Sequence, residues 1–247
     1  MKWDSALYDS KHDFVAEYGK DLLEFVPQND SQTILDLGCG TGTLTAQLAS
    51  KCRRLIGLDS SQDMIEKARN KYGHIDFRVG DALDLPFERE IDLVFSNAVF
   101  HWIHDHDKLL QSIYKALKPG GILVCEFGAE GNIATIEKAF QIACNNLGYE
   151  YKSKFNFPSV KIFKEKLERN GFIIDRIYDY DRPTLLKDGE MGLANWMKQF
   201  FASELAGMPK QDSDAVLETV MKLTRERLWN GEGWMADYRR LRAIAHV

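Results

Sequence analysis

The chain has 247 residues, 45% of them hydrophobic and 28% charged, with a formal net charge of −5. That composition supports one sizeable core, and the acidic balance offers no electrostatic footprint for nucleic acid. No 18-residue apolar run is present to span a membrane, and Met1-Lys2-Trp3-Asp4-Ser5 opens the chain without a leader-like apolar segment.

Cys39, Cys52, Cys125 and Cys144 show no paired spacing, which predicts reduced thiols and a cytoplasmic protein. From residue 33 onward, short apolar runs at 33–37, 55–58, 75–79, 91–96 and 122–127 read as buried strands. Between them, helical patterns occupy 43–50, 62–72 and 108–117, with Ser60 or Ser61 as a cap for the second. Lys118-Pro119-Gly120-Gly121 reads as a breaker that ends the third. Strand–helix alternation of this kind predicts a parallel sheet with helices on both faces. Beyond residue 127 the rhythm changes. Helices are expected at 132–147, 160–169, 189–205 and 211–229, and strands at 172–180 and 236–246.

The run Ile34-Leu35-Asp36-Leu37-Gly38-Cys39-Gly40-Thr41-Gly42-Thr43 joins the first strand to the first helix. Alternating glycines let the backbone bend sharply and approach a nucleoside-like ligand, and Asp59, at the end of the next strand, can hold ribose hydroxyls. A dinucleotide site is written G-x-G-x-x-G, which would place its third glycine where Thr43 stands. Asp59 suits either ligand class. Further polar residues end the third and fourth strands: Asp81 beside Ala82, placed to accept from an adenine amino group, and Asn97, placed to face cofactor or substrate.

In these stretches the chain resembles the class I S-adenosylmethionine-dependent methyltransferases. Residues 34–43, 55–60 with Met64, Ala68 and Arg69, 80–86, 92–102 and 117–124 carry the resemblance. Within the family it is most similar to the trans-aconitate methyltransferase-like group, through Trp3-Asp4, Leu7-Tyr8, Asn97-Ala98-Val99-Phe100-His101-Trp102 and the Lys118–Gly121 turn. The resemblance implies an α/β, Rossmann-like three-layer sandwich with a seven-stranded, mostly parallel sheet in the order 3-2-1-4-5-7-6. Its last strand would be antiparallel, and helical insertions would cap it. One methyltransferase domain would fill 1–247: an N-terminal helical lid at 1–30, a cofactor-binding core at 31–127, cap insertions at 128–158 and 183–234, and sheet-completing segments at 159–182 and 235–247.

S-adenosyl-L-methionine is the implied cofactor. By resemblance, Gly38, Gly40 and the adjoining backbone, with Asp36 and Cys39, hold its methionine end. Asp59 takes the ribose with Ser60 alongside, Asp81 and Ala82 meet adenine, and Asn97 lies near the methionine moiety. Lys11 or His12, from the lid, meets the carboxylate.

The acceptor is expected to be a small molecule, for instance a carboxylic acid, in a monomer or homodimer with no metal. A malonyl-carrier-protein O-methyltransferase and a non-catalytic S-adenosylmethionine sensor are the alternatives. His101 is the candidate general base, needed if the acceptor is a hydroxyl, amine or carbon acid but not if it is a carboxylate. Tyr8, Trp102, Arg182 and Trp196 are candidate substrate contacts, and Arg239, Arg240 and Arg242 offer further cations for an anionic acceptor. His101-x-x-His104-Asp105-His106-Asp107 also resembles a ligand cluster, although Asp105 or Asp107 as a helix cap explains it more simply.

Overall fold

The computed structural model describes residues 20–247. Tyr8, Lys11 and His12, and most of the expected lid, lie outside the described residues. A seven-stranded sheet has the order β3-β2-β1-β4-β5-β9-β6. Its strands are β1 (Thr33–Leu37), β2 (Arg54–Asp59), β3 (Asp76–Val79), β4 (Ile91–Asn97), β5 (Leu117–Gly128), β6 (Ile173–Asp181) and β9 (Arg239–His246). The first five pair in parallel. β9 opposes β5: Val247 exchanges main-chain bonds with Gly120 and Gly121, while Arg242 meets Glu126 further along. This is the expected fold, including its one antiparallel strand.

The chain divides into two compact units. One comprises the residues through Ala129, Pro158–Asp179 and Leu241–Val247; the other comprises Glu130–Phe157 and Tyr180–Arg240. In the first unit, β1 alternates its burial between two cores, because successive side chains leave opposite faces of a strand. Leu35 and Leu37 join one cluster with Val94, Phe100, Ile113 and Phe163. Ile34 joins the other with Leu22, Val26, Leu48, Leu93, Phe95 and Val124. Helices α1 (Lys20–Leu23), α2 (Thr43–Leu48), α3 (Gln62–Lys71), α4 (His106–Ala116) and α6 (Val160–Arg169) belong to this unit. Ser61, Asp105 and Ser159 cap α3, α4 and α6 by accepting backbone N–H bonds.

The second unit is mainly helical, with α5 (Ala134–Asn146), α7 (Gly192–Phe200), α8 (Ala202–Ala206) and α9 (Lys210–Leu228). Phe140, Tyr151 and Phe201 pack as an aromatic cluster, Phe140 and Phe201 at 4.4 Å between ring centres. The Tyr149 hydroxyl donates to Asp212 at 2.5 Å.

The helix expected at 108–117 ends at Ala116, just before Lys118–Gly121, as expected. Three local bounds are corrected. The strand expected at 122–127 starts earlier, at Leu117, because Gly120, at φ 77°, donates to the Val247 carbonyl and keeps the strand paired. The helix expected at 189–205 is interrupted at Phe201, whose backbone leaves the helical region while its ring enters the aromatic cluster. The strand expected at 236–246 is split. Met235–Ala236 (β8) pairs with Thr184–Leu185 (β7) in a separate two-stranded sheet, and β9 begins at Arg239. Among the described residues no helix is long and apolar enough to cross a membrane.

Candidate functional site

The glycine turn follows β1 directly. Gly38 has φ 77°, and a Cβ built on it would lie 2.1 Å from Val99 Cγ2. Gly42, at φ 82°, would meet Phe77 at 2.6 Å. These two glycines are demanded by the protein's own packing. Gly40 differs: its φ is 54°, and a Cβ there would meet no atom of the described residues within 4 Å. No packing among the described residues demands a glycine there, and its bare backbone allows close approach of a ligand.

Asp59, at the end of β2, ties this turn down. Oδ2 accepts from the Gly40 amide at 3.0 Å, and Oδ1 accepts from the Ser61 amide at 2.9 Å. Burial raises its pKa, and these amide bonds oppose the rise. The Ser60 amide also acts on this carboxylate, which keeps acceptor capacity for ribose hydroxyls. Ser60, beside it, is exposed.

Asp36 is buried, and Thr45 donates to its Oδ2 at 2.6 Å. Burial lifts its pKa to about 7; the Thr45 bond opposes this and the nearby Asp59 charge adds to it. A cation brought to this turn would favour the ionised carboxyl. Cys39 turns its side chain into an apolar cluster with Ile65, Ala68 and Phe77. Burial pushes its thiol strongly up, so its backbone is the part suited to a ligand and its sulfur is no nucleophile.

Asp81 is exposed and accepts from the Leu83 amide at 2.9 Å, which shapes the turn that carries Ala82. Asn97 ends β4 opposite Glu126 of β5. Ala98 follows it at φ 61°, a conformation that costs a residue with a Cβ, and its amide donates to the Glu126 carbonyl at 2.7 Å. This strained corner leads to a short 3-10 turn, Phe100–Trp102.

In that turn His101 is buried, and the Gly128 amide donates to its Nδ1 at 3.2 Å. An acceptor Nδ1 leaves the proton of the neutral ring on Nε2. Accepting a second proton would break the bond to Gly128. In that neutral tautomer Nε2 is a hydrogen-bond donor. Trp102 packs 5.1 Å from the His101 ring, whereas Phe100 is core.

Over residues 35–125 the chain matches a family model described as a methyltransferase domain. It is 32% identical to an uncharacterized methyltransferase of Schizosaccharomyces pombe, across 99% of this chain and 97% of that one. The chain belongs to the class I S-adenosylmethionine-dependent methyltransferases. A trans-aconitate 2-methyltransferase of Azoarcus is 36% identical over 126 residues, which is 50% of each chain. In fold it is similar to the YcgJ protein of Bacillus subtilis, with a TM-score of 0.67 at 15% identity over 95% of this chain and 98% of that one.

The methyltransferase's turn suits S-adenosylmethionine on its own geometry. Gly40 meets no packing contact among the described residues, Asp59 offers acceptors beside it, and Asp36 answers positive charge. The His-Asp run does not converge. Asp105 caps α4, His104 is exposed, and His106 lies among Phe100, Phe127 and Phe163 with its ring bonded to the Phe100 carbonyl. Asp107 pairs with Lys166 and Arg169 of α6, which hold its carboxyl well below the usual range.

Arg242 pairs with Glu126, the carboxylate accepting from Nη2 at 2.5 Å and Nε at 2.7 Å, with 7% and 1% of these side chains exposed. Sequence reasoning missed Glu126; its signal was an acid inside an otherwise apolar strand. In the second unit, Trp196 is buried and donates to the Tyr238 hydroxyl at 2.7 Å, and Arg182 stacks on Tyr180.

Proposed function

We propose that this methyltransferase esterifies a small carboxylic acid, with His101 donating from Nε2 to the acceptor carboxylate. The observation that carries the reading is the Gly128 bond to His101 Nδ1, because it favours an acceptor that arrives without a proton to lose. S-adenosylmethionine supplies an electrophilic methyl carbon on a sulfonium, whose loss leaves a thioether. The Gly40 backbone and Asp59 anchor that ligand, with Asp81 and Ala82 at its adenine and Asn97 near its methionine end. His101 and the half-buried Trp102 orient the carboxylate for in-line attack, where alignment supplies much of the rate. Opposite charges neutralise in that step, so a site shielded from water favours it. The half-chain likeness to a trans-aconitate 2-methyltransferase supports an acid as acceptor. Four free cysteines, three of them buried, suit a reducing cytoplasm.

The test is transfer of labelled methyl from S-adenosylmethionine across a panel of carboxylic acids, phenols, amines and thiols. The expected product is an ester that releases labelled methanol in mild alkali. Label held only in alkali-stable products would overturn the reading.

A further inference from the structure

Asp36 and Thr45 stand on either side of the glycine turn, one in β1 and the other in α2. Thr45 is fully buried and Asp36 nearly so, and the Thr45 hydroxyl donates to Asp36 Oδ2 at 2.6 Å. A threonine inside a helix can turn its hydroxyl back on the carbonyl four residues earlier. Thr224 of α9, equally buried, does so and donates to the Val220 carbonyl at 2.8 Å. Thr45 has a single hydroxyl proton and directs it across the turn instead. The turn is thus held at its ends by the Thr45 bond and at its middle by Asp59, through the Gly40 amide.

The surroundings of Asp36 show why that bond matters. In the sheet it lies between Gly57 of β2 and Phe95 of β4, neither of which supplies a polar side chain. Among the described residues, Asp59 is the charged group that acts on it, and its charge has the same sign. The other titratable neighbour is the Cys39 thiol, pushed up by burial first and then by both carboxylates. Burial and Asp59 therefore favour the neutral acid, and the Thr45 hydroxyl is what favours the carboxylate. A cation acts in the same direction as Thr45. S-adenosylmethionine carries two cationic groups, a sulfonium and an ammonium.

We infer that Thr45 is a positioning residue for the cofactor, whose hydroxyl ties α2 to β1 and keeps Asp36 ready to receive the positive charge that S-adenosylmethionine brings. Valine keeps the shape of threonine and replaces the donor with a methyl group. A hydrogen bond to a charged group corresponds to about 1–2 pH units, so Thr45→Val should move the ionisation of Asp36 upward by that amount.

The test is calorimetric titration of the full chain with S-adenosylmethionine between pH 6 and 9. At pH 7, Thr45→Val is expected to bind about five- to fifty-fold more weakly than the wild type, because a smaller fraction of Asp36 is ionised. The gap should close to about twofold or less at pH 9, where both proteins hold the carboxylate. Thr45→Ser, which restores the donor, should follow the wild type at every pH. Thr45→Ala removes the donor without setting a methyl against the carboxyl and should behave as Thr45→Val does. Thr224→Val removes a buried helix hydroxyl that bonds its own helix and should leave the pH profile of binding unchanged.

The ligand-free chain gives a second readout. The stability contributed by protonated Asp36 is lost as pH rises through its folded midpoint, so in denaturant titrations that loss should continue about 1–2 pH units higher in Thr45→Val. Melting curves confirm that each variant is folded. A binding loss of the same size at every pH would reduce Thr45 to a packing residue and overturn the inference. So would undiminished affinity in Thr45→Val and Thr45→Ala, failure of Thr45→Ser to restore binding, or the same pH-dependent loss in Thr224→Val.

Discussion

Asp59 Oδ2 accepts the Gly40 amide at 3.0 Å, so the acid expected to meet ribose also fixes the turn that borders the ligand. Asp59→Ala should therefore weaken S-adenosylmethionine binding twofold over, by loss of acceptors and by release of the turn. Asp59→Asn, which keeps one acceptor oxygen, should lose less. Calorimetric titration with the cofactor checks the order, and equal affinities in all three proteins would remove Asp59 from the site.

Gly38 and Gly40 both have positive φ, yet their alanine variants should separate stability from binding. Each carries a backbone cost of about 1–2 kcal/mol. Gly38→Ala adds overlap with Val99 and should melt well below the wild type, whereas Gly40→Ala should fold and lose cofactor affinity. Melting temperature and titration, read side by side, decide this.

Asp36 gives a signed pH dependence. Its carboxyl titrates near about 7 in the fold, against about 3.9 unfolded. Between those values the folded chain binds the extra proton, so this group's contribution makes stability fall as pH rises from about 4 to about 7. The loss is on the order of a few kcal/mol, at ~1.4 per pH unit. Asp36→Asn should flatten that slope in denaturant titrations. Binding of cationic S-adenosylmethionine near pH 7 should release protons, measured as a buffer-dependent binding enthalpy, and Asp36→Asn should abolish the release.

For His101, a donor role predicts that kcat with cofactor and acceptor saturating shows no acid limb of the kind a general base gives. A general base would instead show activity falling about tenfold per pH unit below its pKa. His101→Asn, which retains a donor, should keep more activity than His101→Leu.

Arg242 and Glu126 are buried together, so truncating either leaves an uncompensated charge. Arg242→Ala is expected to cost about 3–5 kcal/mol. Replacing both with apolar residues of similar volume should recover much of that loss in denaturant unfolding. Additive losses in the double variant would contradict a direct pair.

The sequence by itself determined the strand–helix alternation and the position of the glycine turn, which rest on local period, glycine spacing and polar strand ends written in neighbouring residues; the strand order came from the resemblance to the family. Tertiary structure alone decided which glycines serve packing, because Val99 and Phe77 are remote from Gly38 and Gly42 in sequence. It decided that Arg242 belongs to Glu126, 116 residues away, while Arg240 stacks on Tyr238. It also continued β5 through Lys118–Gly121, since the main-chain partner is Val247 at the far end of the chain. The proton on His101 was illegible for the same reason. A histidine's tautomer is set by whatever its other nitrogen meets, and here that is the Gly128 amide on β5.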